Sequence, residues 1–432
     1  MNDESIKKAV FILIIAIDAF VPLIIWTKST DYFYYPKITV IYFIVLAITF
    51  LTLYIFLKGN ISLNLSWELF FLSLYAAMIL LSAWFSKYRS QSFWGRPLRC
   101  EGAFAYISYF LILYFSYLYV KNNSGYKKVI AFIIISSCII SLYAILQYIG
   151  IDPIKRDSIR KEWVYNSFST LGNRDFLGSY LSIVIPVTII CCIWNKKTLQ
   201  SVLLFFAALV QFSALICSMA RSAWLGIMLS LIFLFIVFFK ESIRKYKKIL
   251  ALLLIFILVA FSINMIHKGS VSSRFKKIAS DFASLISKPS INSTAGSQRI
   301  FIWLRTMDYI FERPILGSGP DTFDKVFSMS PKEAKYHFGS QNIYVDKAHN
   351  EYLQIIVTTG FPSLFFYMVF LSIVYRKALK SLKYGNKNIY TLCFLGGVTA
   401  YIIQAFFNIS VVSVAPLYWS LLGMLISSYG DS

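Results

Sequence analysis

Three side chains in this sequence have a type and setting suited to chemistry. His349 stands in Lys347-Ala348-His349-Asn350-Glu351, where a long polar segment meets an apolar run. Neutral imidazole is a natural general base near neutral pH. An ionisable group at the edge of an apolar run is either a polar anchor or a functional group, because burying its charge is expensive. Arg221 lies in Cys217-Ser218-Met219-Ala220-Arg221-Ser222-Ala223-Trp224, where two apolar runs meet almost without a loop. Its guanidinium either snorkels to an interface or faces a cavity that holds an anion. Arg299 opens a short amphipathic stretch, with Trp303 four residues on. That pair is either a surface cation–π contact or, beside helix N–H donors, a grip for phosphate.

Further arginines fall in loops. Gly95-Arg96-Pro97-Leu98-Arg99-Cys100-Glu101-Gly102 carries two, and Gly172-Asn173-Arg174-Asp175 a third. Each group either lines an anion-binding rim or simply makes a turn. Asn350 follows the histidine and either orients it or binds a sugar. Other chemistries find little support. Pro314-Ile315-Leu316-Gly317-Ser318-Gly319 has a G-x-G but no preceding strand and no third glycine, so it reads as a helix stop and turn. No Cys/His spacing suggests zinc, Asp281, Asp308, Asp321 and Asp324 form no D-x-D cluster, and there is no Walker motif. Neither a metal nor another cofactor is expected. Five of the six cysteines fall in apolar runs and only Cys100 in a loop, so no structural disulfide is expected.

The elements that must position these residues are set by composition. The 432 residues are 58% hydrophobic and 18% aromatic, with only 14% charged, against about 25% charged in a soluble chain. That balance excludes a soluble globule, disorder, collagen and coiled coil. Apolar runs of membrane-spanning length recur throughout. Twelve spans are expected, at about 8–27, 38–57, 67–85, 103–120, 128–149, 176–194, 199–217, 221–239, 248–266, 351–375, 389–408 and 413–430. The first lacks a cleavage pattern and reads as a membrane helix rather than a signal peptide. Asp18 is the only carboxylate well inside a span, fewer than an ion-coupled transporter would need.

Twelve spans put both termini on one side. With the termini in the cytoplasm, the inside segments hold 16 Lys and 2 Arg, and the outside segments 13 Lys and 11 Arg. Lysine suffices to retain a loop inside, whereas arginine offers a planar fork for phosphate or carboxylate. The outer face is thus expected to bind an anion, unless the arginines are merely scattered. The chain divides into transmembrane helices one to nine (1–266), an extracytoplasmic loop domain (267–350) and helices ten to twelve (351–432). Within the loop domain, Ser297 can cap a helix over 298–312, which must end before Pro314. A second, short external helix is expected at 157–165.

The order and spacing of these motifs resemble the O-antigen ligase and polymerase family of bacterial membrane glycosyltransferases from about residue 90 onward. The strongest part is His349-Asn350, nine residues, then Gly360. Arg299 with Trp303, then Pro314 and Gly317-x-Gly319, is similar to the segment ahead of that motif. Ser218-x-x-Arg221-x-x-Trp224, Gly172-Asn173 and Arg99-x-Glu101-Gly102 are similar to its span starts. Thr358 and Ser363 depart from the family's usual residues.

The resemblance implies an all-α polytopic fold of the GT-C type in the cytoplasmic (inner) membrane, with an extracytoplasmic active site and a large helical outer loop. It implies an inverting, metal-independent transfer of a glycan from undecaprenyl diphosphate to an acceptor hydroxyl on a glycan, lipid or protein, with the bilayer and no nucleic acid as partner. His349 would be the base, Arg221 and Arg299 would hold the diphosphate, and Asn350, Arg96, Arg99, Arg174 and Trp303 would contact substrate. A polymerase joining lipid-linked repeats, or a protein O-oligosaccharyltransferase, fits the same residues. A twelve-span transporter or flippase is the more distant alternative.

Overall fold

The structure, a computed structural model, describes residues 2–60, 66–154, 167–266, 299–384 and 388–430, with 269, 271–274, 276 and 280. Ser297 and the expected helix at 157–165 lie outside the described residues. Among those residues the regular elements are all helices, as expected where every backbone polar group must be satisfied within its own segment.

All twelve apolar segments are helical. The first is α1 (Asp3–Ile15), continued by a π-helical turn at Ala16–Phe20 and a 3-10 turn at Val21–Leu23. Next come α2 (Tyr35–Leu57), α3 (Trp67–Phe85), the short α4 (Arg89–Trp94), α5 (Ala103–Tyr119) and α6 (Asn122–Tyr148). They are followed by α7 (Arg174–Trp194), α8 (Thr198–Ser218), α9 (Arg221–Val237), the short α10 (Phe239–Ile243) and α11 (Tyr246–Ile266). Beyond these lie three helices of the polar segment, α12 (Arg299–Ile310), α13 (Phe323–Val326) and α14 (Pro331–Phe338). The chain ends with α15 (Glu351–Thr359), α16 (Phe361–Tyr384), α17 (Ile389–Ala405) and α18 (Ala415–Gly430). Among the described residues, seven helices are long and apolar enough to cross a membrane, and α5, α9 and α17 are shorter apolar ones. The chain is a polytopic membrane protein.

One expected span is two helices. The segment 351–375 breaks at Gly360, whose φ is +89° and where a Cβ would lie 2.0 Å from the Ile315 carbonyl oxygen. Only glycine tolerates both the left-handed backbone and that approach. The Phe361 N–H donates to the Pro314 carbonyl (2.8 Å), and the N–H groups of Ser318 and Gly319 donate to the carbonyls of Val357 and Thr358 (3.1 and 2.8 Å). The G-x-G segment thus satisfies the carbonyls that α15 leaves open at its C-terminus.

Helix α7 is the axis. Every residue from Phe176 to Ile193 except Cys191 is buried, against α8, α9 and α17. Small residues permit the close approaches: a Cβ on Gly178 would lie 2.5 Å from that of Ala220, and one on Gly423 of α18 would lie 2.1 Å from the Leu113 oxygen of α5. A second, smaller core lies at one end of the bundle. Phe301, Ile302 and Ile310 of α12 pack with Phe323, Phe327, Val345, Ala348 and Val357. This core seats the 299–350 segment on α15.

Candidate active site

The site forms where α7, α9, α12 and α15 begin. Asn173 caps α7, its Oδ1 accepting from the Asp175 N–H (2.8 Å). Asn408 donates to the Asp175 carbonyl at 3.2 Å. This fixes the Asp175 carboxylate, whose Oδ2 lies 3.8 Å from Nη2 of Arg299 on α12. His349 lies beside this pair. It is half-buried, and its Nδ1 is shut from solvent without a hydrogen-bond partner among the described residues. Burial and then the Arg299 charge push the imidazole down to about 4, while Asp175 and Asp346 act the other way. The ring is therefore neutral at pH 7.

Arg221 opens α9, one residue beyond the Ala220 that abuts α7. Arg174 is exposed at the start of α7. Both bear on Arg274, whose proton affinity is lowered by burial and then by the charges of Arg174 and Arg221, against the opposing pull of Asp175. Like charges gathered about one carboxylate repel, and an anion placed among them relieves the repulsion. Helix N-termini, which carry partial positive charge, add to the same field.

Other expected site residues make protein contacts. Arg96 Nη1 and Arg99 Nε donate to Asp346 Oδ2 at 2.9 and 2.7 Å. Burial works to raise Asp346, but the Arg99 charge and hydrogen bond outweigh it and hold the carboxyl below its ordinary range. Arg96 also stacks over Tyr344, 4.5 Å from the ring centroid. Trp303 donates its indole N–H to the Ala348 carbonyl (3.0 Å), and its ring packs on Phe406 and Phe407. Asn350 caps α15, accepting from the N–H groups of Tyr352 and Leu353 (3.0 and 3.2 Å).

The structure brings together His349, Arg299 and Asp175, and sets Arg174 and Arg221 around Arg274. It ties Arg96 and Arg99 to Asp346, three residues before the histidine. The sequence motifs do not single out Asp175 or Arg274. The signal for the first was its place in the turn Gly172–Asp175; Arg274 sits in a Ser- and Lys-rich stretch and had none. Among the described residues no group of three His, Cys, Asp or Glu could hold a metal ion.

A bundle of apolar helices with an arginine-rich, histidine-bearing site at one end defines a multi-pass membrane protein. The family of O-antigen ligases matches residues 206–368, a stretch that holds Arg221, Arg274, Arg299, Trp303, His349 and Asn350. The match supports an O-antigen ligase family member and, in general, a glycosyltransferase of the ligase or polymerase type. No curated protein matches the chain.

Proposed function

We propose that the chain moves a glycan from undecaprenyl diphosphate to an acceptor hydroxyl on the outer face of the cytoplasmic membrane. The observation that carries this reading is the gathering of four arginines near His349: Arg299 faces Asp175 beside the ring, and Arg174 and Arg221 bear on Arg274, which Asp175 also reaches. As the anomeric C–O bond breaks, the departing diphosphate gains negative charge. Arg221 and Arg299 stabilise it as fixed donors, with no metal required. The acceptor oxygen attacks the anomeric carbon from the opposite face, and His349 takes its proton. Configuration inverts.

The donor also improves the base. Its phosphates cancel the positive field of Arg299, which raises the proton affinity of His349 above that of the empty site. Helix α7 supports the topology. Its 21 residues span ~30 Å at 1.5 Å each, the thickness of the hydrocarbon core. Arg174 stands at the site end. At the other end Lys248 donates to the carbonyls of Cys192 and Asn195 (3.3 and 3.0 Å), as befits a cytoplasmic side.

The test is transfer by the purified chain in nanodiscs, supplied with a glycan-diphosphate-polyprenol and sugar-bearing lipid acceptors. We expect release of polyprenyl diphosphate, product of inverted anomeric configuration, and no turnover by His349→Ala. Retained configuration, or His349→Ala working at the normal rate, would refute the mechanism.

A further inference from the structure

We infer that Lys347 is a positioning residue: buried between Asp321 and Glu101, it anchors a strap that holds the Asp346–Asn350 turn in the shape that presents His349. The inference rests on the reading of His349 as the base.

His349 has a φ of +51°, a left-handed conformation uncommon outside glycine. Such a conformation persists only where its surroundings over-determine it, and here they do. Asp346 is gripped by Arg96 and Arg99. The Lys347 ammonium lies 2.8 Å from Asp321 Oδ1 and 3.5 Å from Glu101 Oε2. The Ala348 N–H donates to Gln354 Oε1 (2.8 Å), and its carbonyl accepts from Trp303. Asn350 is fixed as a helix cap.

The anchors of Lys347 are themselves anchored. Asp321 Oδ2 accepts from the N–H groups of Arg96 and Glu101 (2.7 and 3.2 Å), and Glu101 Oε1 accepts from Ser410 (2.8 Å). Three stretches distant in sequence thus meet at one ammonium. Left-handed backbone is concentrated in the same network: besides His349, the non-glycine residues Leu98, Cys100 and Asp321 have φ of +67°, +59° and +55°.

Stability alone does not account for this arrangement. Lys347 is 2% exposed, and apolar side chains of similar size usually serve a buried site as well as an ion pair does. What the charges add is a single permitted geometry for the turn.

Three variants test the inference by kcat, donor KM and thermal unfolding in nanodiscs. In Lys347→Met we expect kcat to fall ~10²-fold, the effect of misplacing a catalytic group by about an ångström. Donor KM should stay within about threefold, because the arginines at Asp175 are untouched, and the unfolding temperature should drop. Adding Asp321→Asn removes the nearer of the two stranded carboxylates; unfolding temperature should recover in part while kcat stays low. Recovery of kcat together with stability would make Lys347 merely structural and overturn the inference, as would Lys347→Met turning over normally. Should Lys347→Met fail to accumulate, Trp303→Phe keeps the ring packing and releases only the Ala348 carbonyl. A lower kcat at unchanged donor KM supports the strap, and an unchanged kcat overturns it. Wild-type protein inactive on the donor would instead refute the proposed reaction.

Discussion

Arg299→Gln should do more damage than the loss of one phosphate contact. In the free site Arg299 faces Asp175 at 3.8 Å, with the two side chains 18% and 28% exposed. In the proposed reaction it therefore has two tasks, attracting the diphosphate and screening a carboxylate that would otherwise repel it. Losing one fixed donor to a developing charge lowers the rate ~10²–10³-fold. The unscreened Asp175 adds a repulsion between ~1 kcal/mol in a water-like medium and ~4 kcal/mol near a protein surface at about 4 Å. Partial exposure puts the value toward the low end, about a further tenfold. We expect kcat/KM for the donor to fall ~10³–10⁴-fold in Arg299→Gln. Adding Asp175→Asn should return about a factor of ten, while Asp175→Asn alone should change the rate less than about fivefold. The assay is initial transfer rate in nanodiscs across the four forms of the cycle, with unfolding temperature as the folding control. If the double variant is no faster than Arg299→Gln, or if Arg299→Gln stays within about threefold of wild type, the screening argument fails.

Three other outcomes follow from the same geometry. The acidic limb of kcat/KM against pH reports the base in the free enzyme, so it should fall near the value of about 4 to which His349 is depressed. A neighbouring positive charge disfavours the imidazolium, so Arg299→Gln should move that limb upward, short of the ordinary histidine value of about 6.5 because burial remains. A limb that stays put or moves down would show that Arg299 does not act on the ring. Arg221→Gln should lower transfer ~10²-fold with the unfolding temperature held, and normal turnover would remove Arg221 from the site. Gly360→Ala puts a Cβ 2.0 Å from the Ile315 oxygen at a φ of +89°; we expect a loss of several kcal/mol, read as poor membrane accumulation, and a normal yield would contradict the break between α15 and α16.

The helices were legible because apolar length is a signal that each segment carries alone. Helix α11 shows this best: of its described residues only Leu252 is buried in the protein, yet its composition marks it as plainly as it marks the enclosed α7. What the runs hide is irregularity within them. The break at Gly360 had a local signal, Gly360-Phe361-Pro362, since a proline belongs in a first helical turn. The apolar periodicity of α12 is only partly informative: of Ile300, Met307 and Ile310, which recur at helical spacing, the two isoleucines are buried but Met307 is exposed, and Phe301 and Ile302 turn inward. The small core under that helix draws on residues up to Val357, and periodicity within one helix is blind to such distant partners.

The arginines were legible by type and place, and their partners were not. Arg99 and Asp346 are 247 positions apart, and Lys347, near the end of the long segment, meets Glu101 from a loop far upstream. In sequence, an arginine that meets substrate and one that steadies a loop look the same; the carboxylate each finds separates them. Arg99 meets Asp346 at 2.7 Å in a direct hydrogen bond, whereas Arg299 meets Asp175 at 3.8 Å, beyond hydrogen-bond reach. Arg96 and Arg99 hold the turn before His349 through Asp346, and in the proposed reaction the grip on the diphosphate is assigned to Arg221 and Arg299.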